Sequence, residues 1–329
     1  MAKKRILTGD RPTGPLHLGH YVGTLKARLD LQEENEVFIL VADYHTLTRH
    51  LTAEKVKKLK ENVRELLLDY LAVGLDPKKV TIHRQSDVPS VTELALIFGM
   101  LVSVPRLSRV PTLKEVMGDE KIEIPSFGLL GYPVLQAADI ALVKGELVPV
   151  GKDQASHLEV TREIIRRFNR EFGKVFPEPR ALIRGAVLPG IDGKAKMSKS
   201  LGNTIFLSDN ERVVKKKVMG MYTDPTRIHP TDPGHVEGNP VFAYLDAFAE
   251  DKEAVAELAR RYKKGTVGDV EVKEYLATVL NEFLDPIRER RKKFAESAGL
   301  DRILEEGRQK VVPIAEETLS QVKTAMKLK

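Results

Sequence analysis

VFILVAD (37–43) is apolar without a break up to its closing Asp43, over the length of a strand. A strand that is apolar at every position, and not only at alternate ones, is buried on both faces. Its neighbours in the chain therefore decide the fold. Before it, RILTG (5–9) carries a short β-like run, and Leu18, Tyr21, Val22, Leu25 and Leu29 follow at helical spacing. After it, Val56, Leu59, Val63, Leu66, Leu67, Tyr70 and Leu71 line one helix face that Gly74 stops. VTIHRQSD (80–87) reads as another strand, and Ser90 with Glu93 predicts a capping box for the helix that begins VTELALIF. Strands alternating with helices predict an α/β fold, a doubly wound parallel sheet with its ligand site at the carboxyl ends of the strands.

The pattern changes after residue 205. Ser208 and Glu211 predict a second capping box, and the remainder reads as helices interrupted by YTDPTRIHPTDPGHVEGNP (222–240). At 329 residues the chain exceeds what one core usually fills. The expected division is an α/β domain over 1–204 and an all-helical domain over 205–329, whose amphipathic last helix packs back on the body. Cysteine is absent, which excludes disulfides, thiolate metal sites, iron–sulfur clusters and thiol nucleophiles, and fits a reducing compartment. No long apolar span and no secretory start are present, so the expected location is cytoplasmic with no membrane contact. The net charge of +6 is compatible with a polyanionic partner.

Two stretches carry chemistry. PTGPLHLGHYVG (12–23) follows the first strand, where a ligand is expected, yet its glycines match neither G-x-G-x-x-G nor a P-loop. His17 and His20 stand three apart at a helix start, so both imidazoles can lie on one side beside backbone N–H groups, an arrangement that suits phosphate. The rival readings are a metal pair, which lacks an evident third ligand, and a turn whose glycines serve only the backbone. DGKAKMSKSLGN (192–203) is small, polar and basic, with Lys194, Lys196 and Lys199 as point charges for phosphate oxygens or as solvated surface.

In this order, HLGH (17–20) and KMSKS (196–200) resemble the two signatures of class I aminoacyl-tRNA synthetases. GDRPTGPLHLGHYVG, VADYHTLT, YPVLQAADI and VPVGKDQASHLEVTREI narrow the resemblance to the bacterial tryptophanyl-tRNA synthetases over residues 9–202, and TDP (223–225) with the helical third extends it. The resemblance implies a Rossmann-like catalytic domain, a helical domain that meets the tRNA anticodon, and a homodimer. It implies activation of L-tryptophan by ATP, accompanied by Mg2+, to tryptophanyl-adenylate and pyrophosphate, then transfer of tryptophan to tRNA(Trp). It makes His17, His20, Lys196 and Lys199 catalytic. ATP would meet Arg11, Pro12, Thr13, Gly19, His20, Gly151, Lys152, Asp153, Lys196, Met197, Ser198, Lys199 and Ser200, with Lys114 as a further phosphate candidate. Tryptophan would meet Leu7, His45, Tyr132, Gln136, Asp139, Ile140, Val148, Val150 and Gln154, with Asp139 accepting the indole N–H. Gln136 departs from the methionine of other members, and the cysteines that hold an iron–sulfur cluster in some are missing around GTVGDVEVKEY (265–275).

The chemistry fits these residue types. The nucleophile of activation is the substrate carboxylate, ionised at neutral pH, so no general base is needed and what remains is positioning and charge stabilisation. Tyrosine is the rival amino acid, a non-aminoacylating RNA-binding relative the rival class, and a small-molecule nucleotidyltransferase a third. Intact copies of both signatures argue against a binding module, and the helical third argues against the small-molecule enzyme.

Overall fold

A computed structural model describes residues 3–119, 121–150, 155–183, 185–229, 231–297 and 299–329, with the backbone alone at 119, 150 and 155–157. Strands β1 (Arg5–Asp10), β2 (Glu36–Val41), β3 (Val80–Arg84), β4 (Leu147–Val150) and β5 (Arg180–Ile183) form a parallel sheet in the order β3-β2-β1-β4-β5. Between the strands run α1 (Leu18–His20), a π turn (Tyr21–Leu25) continuous with α2 (Lys26–Glu34), α3 (Asp43–Leu47), α4 (Ala53–Val73), α5 (Ser90–Gly99), α6 (Val104–Leu107), α7 (Pro111–Asp119), α8 (Phe127–Leu142) and α9 (Ala155–Phe172). After β5 come α10 (Glu211–Met219), α11 (Pro240–Phe248), α12 (Lys252–Lys263), α13 (Asp269–Glu296) and α14 (Leu300–Ala325). The fold is α/β and Rossmann-like, with a helical C-terminal part.

The unbroken apolar run explains how the sheet is covered. Val37, Ile39 and Val41 of β2 face one apolar cluster together with Ile6, Val80 and Ile82, whereas Phe38 and Leu40 face a second one together with Leu7. Period-two alternation thus sends each strand's side chains into two cores. The first core continues through α4 into α10, α11, α12 and α13, and the second is covered by α5, α8, α9 and the later half of α14. Strand order reverses between β1 and β4, which opens a crevice at their carboxyl ends.

Local signals were partly misread. Thr52 caps α4 by accepting from the Lys55 N–H, and Gly74 ends it at φ 110° as expected, but burial of its apolar face is confined to the stretch from Val63 onward, and Val56 is exposed. The Ser90–Glu93 capping box does not form: Pro89 holds the cap position, a tight turn through Val88 and Pro89 starts α5, and Glu93 pairs with Lys323 on α14 at 2.6 Å. The Ser208–Glu211 box fails too, because α10 starts at Glu211 itself and Asn210 caps it by accepting from the Val213 N–H at 2.9 Å.

Candidate active site

β1 ends in a buried charge network at the crevice. Asp10 Oδ2 accepts from Arg28 Nη1 at 2.6 Å and from the Tyr70 hydroxyl at 2.8 Å, while Arg28 Nε donates to Thr8 Oγ1 at 3.0 Å and Nη2 to the Gly9 carbonyl. Burial pushes the Asp10 carboxyl up, but the Arg28 charge and hydrogen bond outweigh it and hold the group at about 2. The strand end therefore carries a fixed, compensated carboxylate. The sequence reading missed both Asp10 and Arg28.

The chain then turns through Gly14, at φ 100°, into the two histidines. His17 occupies the cap position of α1 in an extended conformation, and its ring lies 3.8 Å from that of His20 between centroids. The His17 N–H donates to His20 Nδ1 at 3.2 Å, which leaves the ring proton of neutral His20 on Nε2. Burial, reinforced by Lys199 and Arg28 and opposed by Asp10, brings His20 down to about 4. Burial and the neighbouring His20 bring His17 to about 3. Both imidazoles are neutral at physiological pH, and His17 Nδ1 is buried with no protein partner. The pair can offer ring N–H groups to a phosphate; the positive charge must come from elsewhere.

It comes from the second signature. Segment 185–207 crosses over the π turn, with Gly185 so close that a Cβ there would lie 2.0 Å from the Gly23 carbonyl. Leu18 N–H donates to the Ile205 carbonyl at 3.0 Å and Leu207 N–H to that of Leu16 at 2.9 Å. Met197 is buried with Sδ 3.4 Å from the Gly19 nitrogen, and a Cβ on Gly19 would press on the His17 ring and on Met197. The Ser198 N–H donates to Asn203 Oδ1 at 2.8 Å, and Ser198 and Ser200 share a hydroxyl bond. Lys199 Nζ donates to the Gly14 carbonyl at 2.9 Å and to Thr13 Oγ1 at 3.2 Å. Burial lowers the Lys199 ammonium to about 8, with Asp69 and Asp10 resisting. Lys196 and Ser200 are exposed on the same loop, Arg11 and Thr13 are exposed and Pro12 is buried on the first one, and Lys114 is exposed on α7.

On the other side of the sheet, α8 presents Asp139, 6% exposed. His45 Nε2 lies 3.0 Å from Asp139 Oδ2, and the Gln85 amide donates to both carboxylate oxygens at 3.0 and 2.8 Å. Gln85 Oε1 accepts from the His45 N–H at 3.3 Å, which fixes the amide orientation. Burial raises the Asp139 carboxyl, and His45 and Gln85 oppose it. Leu7, Ile140 and Val148 are buried in the apolar cluster that α8 covers, and Gln136 is half-buried. Tyr132 is half-buried too, its hydroxyl 2.9 Å from Thr112 Oγ1. Gln85 escaped the sequence reading; its one signal was a polar residue at the carboxyl end of a strand. Gly151, Lys152, Asp153 and Gln154 lie outside the described residues, as does the side chain of Val150. Among the described residues no group of three His, Cys, Asp or Glu side chains could hold a metal ion.

Comparison with known proteins fits this geometry. The family model described as tRNA synthetases class I (W and Y) matches residues 2–285. The tryptophan–tRNA ligase of Treponema pallidum is 56% identical over 326 residues, 98% of this chain and 97% of the relative. That of Chlamydia caviae is 49% identical over 99% of this chain and 96% of its own length. The crystal structure of tryptophanyl-tRNA synthetase from Campylobacter jejuni, complexed with ADP and tryptophan, superposes with a TM-score of 0.86 at 36% identity, over 98% of this chain and 99% of that one.

Proposed function

The chain belongs to the class I tRNA synthetases of the tryptophan and tyrosine group, and from that premise we infer a tryptophan–tRNA ligase that activates L-tryptophan with ATP and transfers it to tRNA(Trp). The observation that carries the activation step is the meeting of the two signatures, with Met197 Sδ 3.4 Å from the Gly19 nitrogen and Lys199 Nζ 2.9 Å from the Gly14 carbonyl on the loop that leads into the first, although 185 positions separate Lys199 from Gly14. The tryptophan carboxylate attacks the α-phosphate, the bond to the leaving pyrophosphate breaks, and the negative charge moves onto that group. His17 and His20, as neutral donors, and Lys196 and Lys199, as cations, hold the phosphates in line and stabilise the charge. Arg11, Pro12, Thr13, Gly19, Met197, Ser198 and Ser200 complete the ATP site on our reading, with Gly151, Lys152 and Asp153. Mg2+ would travel with ATP on phosphate oxygens and waters.

The indole would lie against Leu7, Ile140, Val148 and Val150 with its N–H on Asp139, while Tyr132 and Gln154 receive the substrate ammonium and His45 and Gln136 close the pocket. Three donor contacts already converge on the Asp139 carboxylate, so roughly one lone-pair direction of four is left for the one N–H that indole offers. We divide the chain at 204/205 into catalytic and tRNA-binding domains and place it in the cytoplasm, on the grounds of its cysteine-free composition. Among the described residues no helix is long and apolar enough to cross a membrane. A homodimer is supported by exposed apolar side chains clustered in sequence, Leu96 on α5, Met100 just past its end and Val104 at the start of α6. Leu96→Glu should shift the mass seen by light scattering from dimer to monomer. The deciding experiment for function is ATP–pyrophosphate exchange with each amino acid in turn. Tryptophan should support it without tRNA, and exchange of equal efficiency with tyrosine would overturn the assignment.

A further inference from the structure

Besides Met197, Lys199 and the backbone of 205–207, a further side chain ties down the His17 corner. That side chain is Asp69 of α4, fully buried, whose Oδ2 accepts from the Leu16 N–H at 2.6 Å. A buried carboxylate needs a counter-charge, and here it arrives from the far end of the chain. Arg291 of α13 donates from Nε to Asp69 Oδ1 at 2.9 Å and from Nη2 to Glu65, one turn earlier on α4. The α4–α13 contact has other ties, Arg64 to the Ala295 carbonyl at 2.9 Å and Arg290 to that of Ala72 at 2.5 Å. Those bind helix to helix and end there. Of these ties, the Asp69 carboxylate has its second oxygen on the backbone at Leu16, just before the first signature, and its charge also favours the ammonium form of Lys199, which docks two residues upstream on Gly14.

We propose that the Arg291–Asp69 pair is a positioning device for amino-acid activation: it fixes the Leu16 amide, and through it the His17–His20 corner, so that the seating of α13 sets the rate of adenylate formation. The inference rests on the reading that the two signatures carry activation. Asp69 and Arg291 touch neither substrate. They act on the orientation of groups that do, and a misplacement of about 1 Å at a reacting centre costs up to about 100-fold in rate.

The test uses the full chain with Arg291→Met, which keeps the length and removes the charge, Arg291→Lys, which restores charge without the fork, and Asp69→Asn. ATP–pyrophosphate exchange is measured per active site, counted from the adenylate burst, alongside thermal unfolding. Arg291→Met should lower kcat about 10- to 100-fold with the KM for tryptophan changed less than about twofold, and Arg291→Lys should recover most of the loss. The double variant with Asp69→Asn should be no slower than the slower single one, because the two residues act as a unit. If Asp69→Asn does not fold, the Arg291 pair decides alone, since Arg291 reaches the surface. Parental kcat per active site in Arg291→Met, whatever its melting temperature, would overturn the proposal. Lys199→Ala is the control. Should it exchange normally, the reading of the signatures fails; should it be slow while Arg291→Met is normal, only the positioning role fails.

Discussion

Lys199 is where the chemistry is most exposed to measurement. Its ammonium is brought to about 8 by burial, so it is charged below that pH and loses its proton as pH rises through it. The kcat/KM for ATP, which reports the free enzyme, should therefore fall on the alkaline side with an apparent pKa near that value. Lys199→Arg should flatten this limb, because a guanidinium does not titrate there, yet remain slow, because a planar fork places charge differently. Lys199→Ala should lower the single-turnover rate of activation by about 30- to 1,000-fold, the equivalent of about 2 to 4 kcal/mol of transition-state stabilisation, and leave transfer of pre-formed adenylate unchanged. At the other pole of the site, Asp139→Ala strands the His45 and Gln85 donors together with the indole N–H. An unpaired buried donor costs about 1 to 3 kcal/mol, so discrimination against phenylalanine should drop by about one to two decades, with Asp139→Asn milder. Unchanged discrimination in folded protein would remove Asp139 from the pocket. The histidines, Lys199 and Asp139 were legible because each sits in a contiguous motif. Asp10, Arg28, Gln85 and Asp69 were not: their partners are contributed by other elements, and no local spacing encodes a hydrogen bond between α4 and a loop that precedes α1.

Elements were legible to the degree that their signal is apolar periodicity. β2 could be read from seven letters because burial on both faces requires apolar residues throughout, and α4 from its face and its glycine stop. Starts were misread where two local signals competed. Ser90 resembles a cap, but Pro89 just before it has its φ fixed for a helical turn and starts the helix earlier. The π turn after the histidines has no signature in the sequence at all. It lies where Gly185 packs on the Gly23 carbonyl so closely that a side chain at 185 would not fit, a tertiary contact. The same kind of contact makes a prediction for α14. Gly307 lies against β3 so closely that a Cβ would stand 1.8 Å from the Ile82 carbonyl oxygen, and backbone in a central sheet cannot move aside as a side chain can. Gly307→Ala should lower the unfolding free energy in urea by about 2 to 4 kcal/mol through overpacking, despite alanine's better helix propensity. Parental stability would mean that α14 does not seat on the sheet in this way.

At the scale of the whole molecule, the fold class was legible and the wiring was not. Alternating strands and helices announce a doubly wound sheet, but the step that opens the crevice is the pairing of β1 with β4, Ile6 beside Leu147, and no residue pattern in either strand names its neighbour. Assembling the chain in this way also buries histidines from two places, and that sets how the protein meets acid. His17 is held at about 3, His20 at about 4 and His83, on the edge strand β3, at about 4, each chiefly by burial. In the unfolded chain they protonate near 6.5. Between that pH and the folded values the unfolded state binds more protons, so stability is fully present above about 6.5 and falls as pH drops, by about 1.4 kcal/mol per pH unit for each histidine. Asp69 and Asp139, held above the ordinary carboxylate range by burial, titrate in the opposite sense and offset part of the loss. A difference measurement isolates one histidine from this sum. His83 is 3% exposed and its Nδ1 has no protein partner, and it lies outside both signatures, so His83→Gln removes a single proton-binding group without touching the proposed phosphate site. In urea unfolding from pH 7 to 4.5, the parent should lose stability more steeply than the variant by about 1.4 kcal/mol per pH unit below about 6. Parallel curves would mean that His83 takes up its proton in the folded sheet as readily as in the unfolded chain.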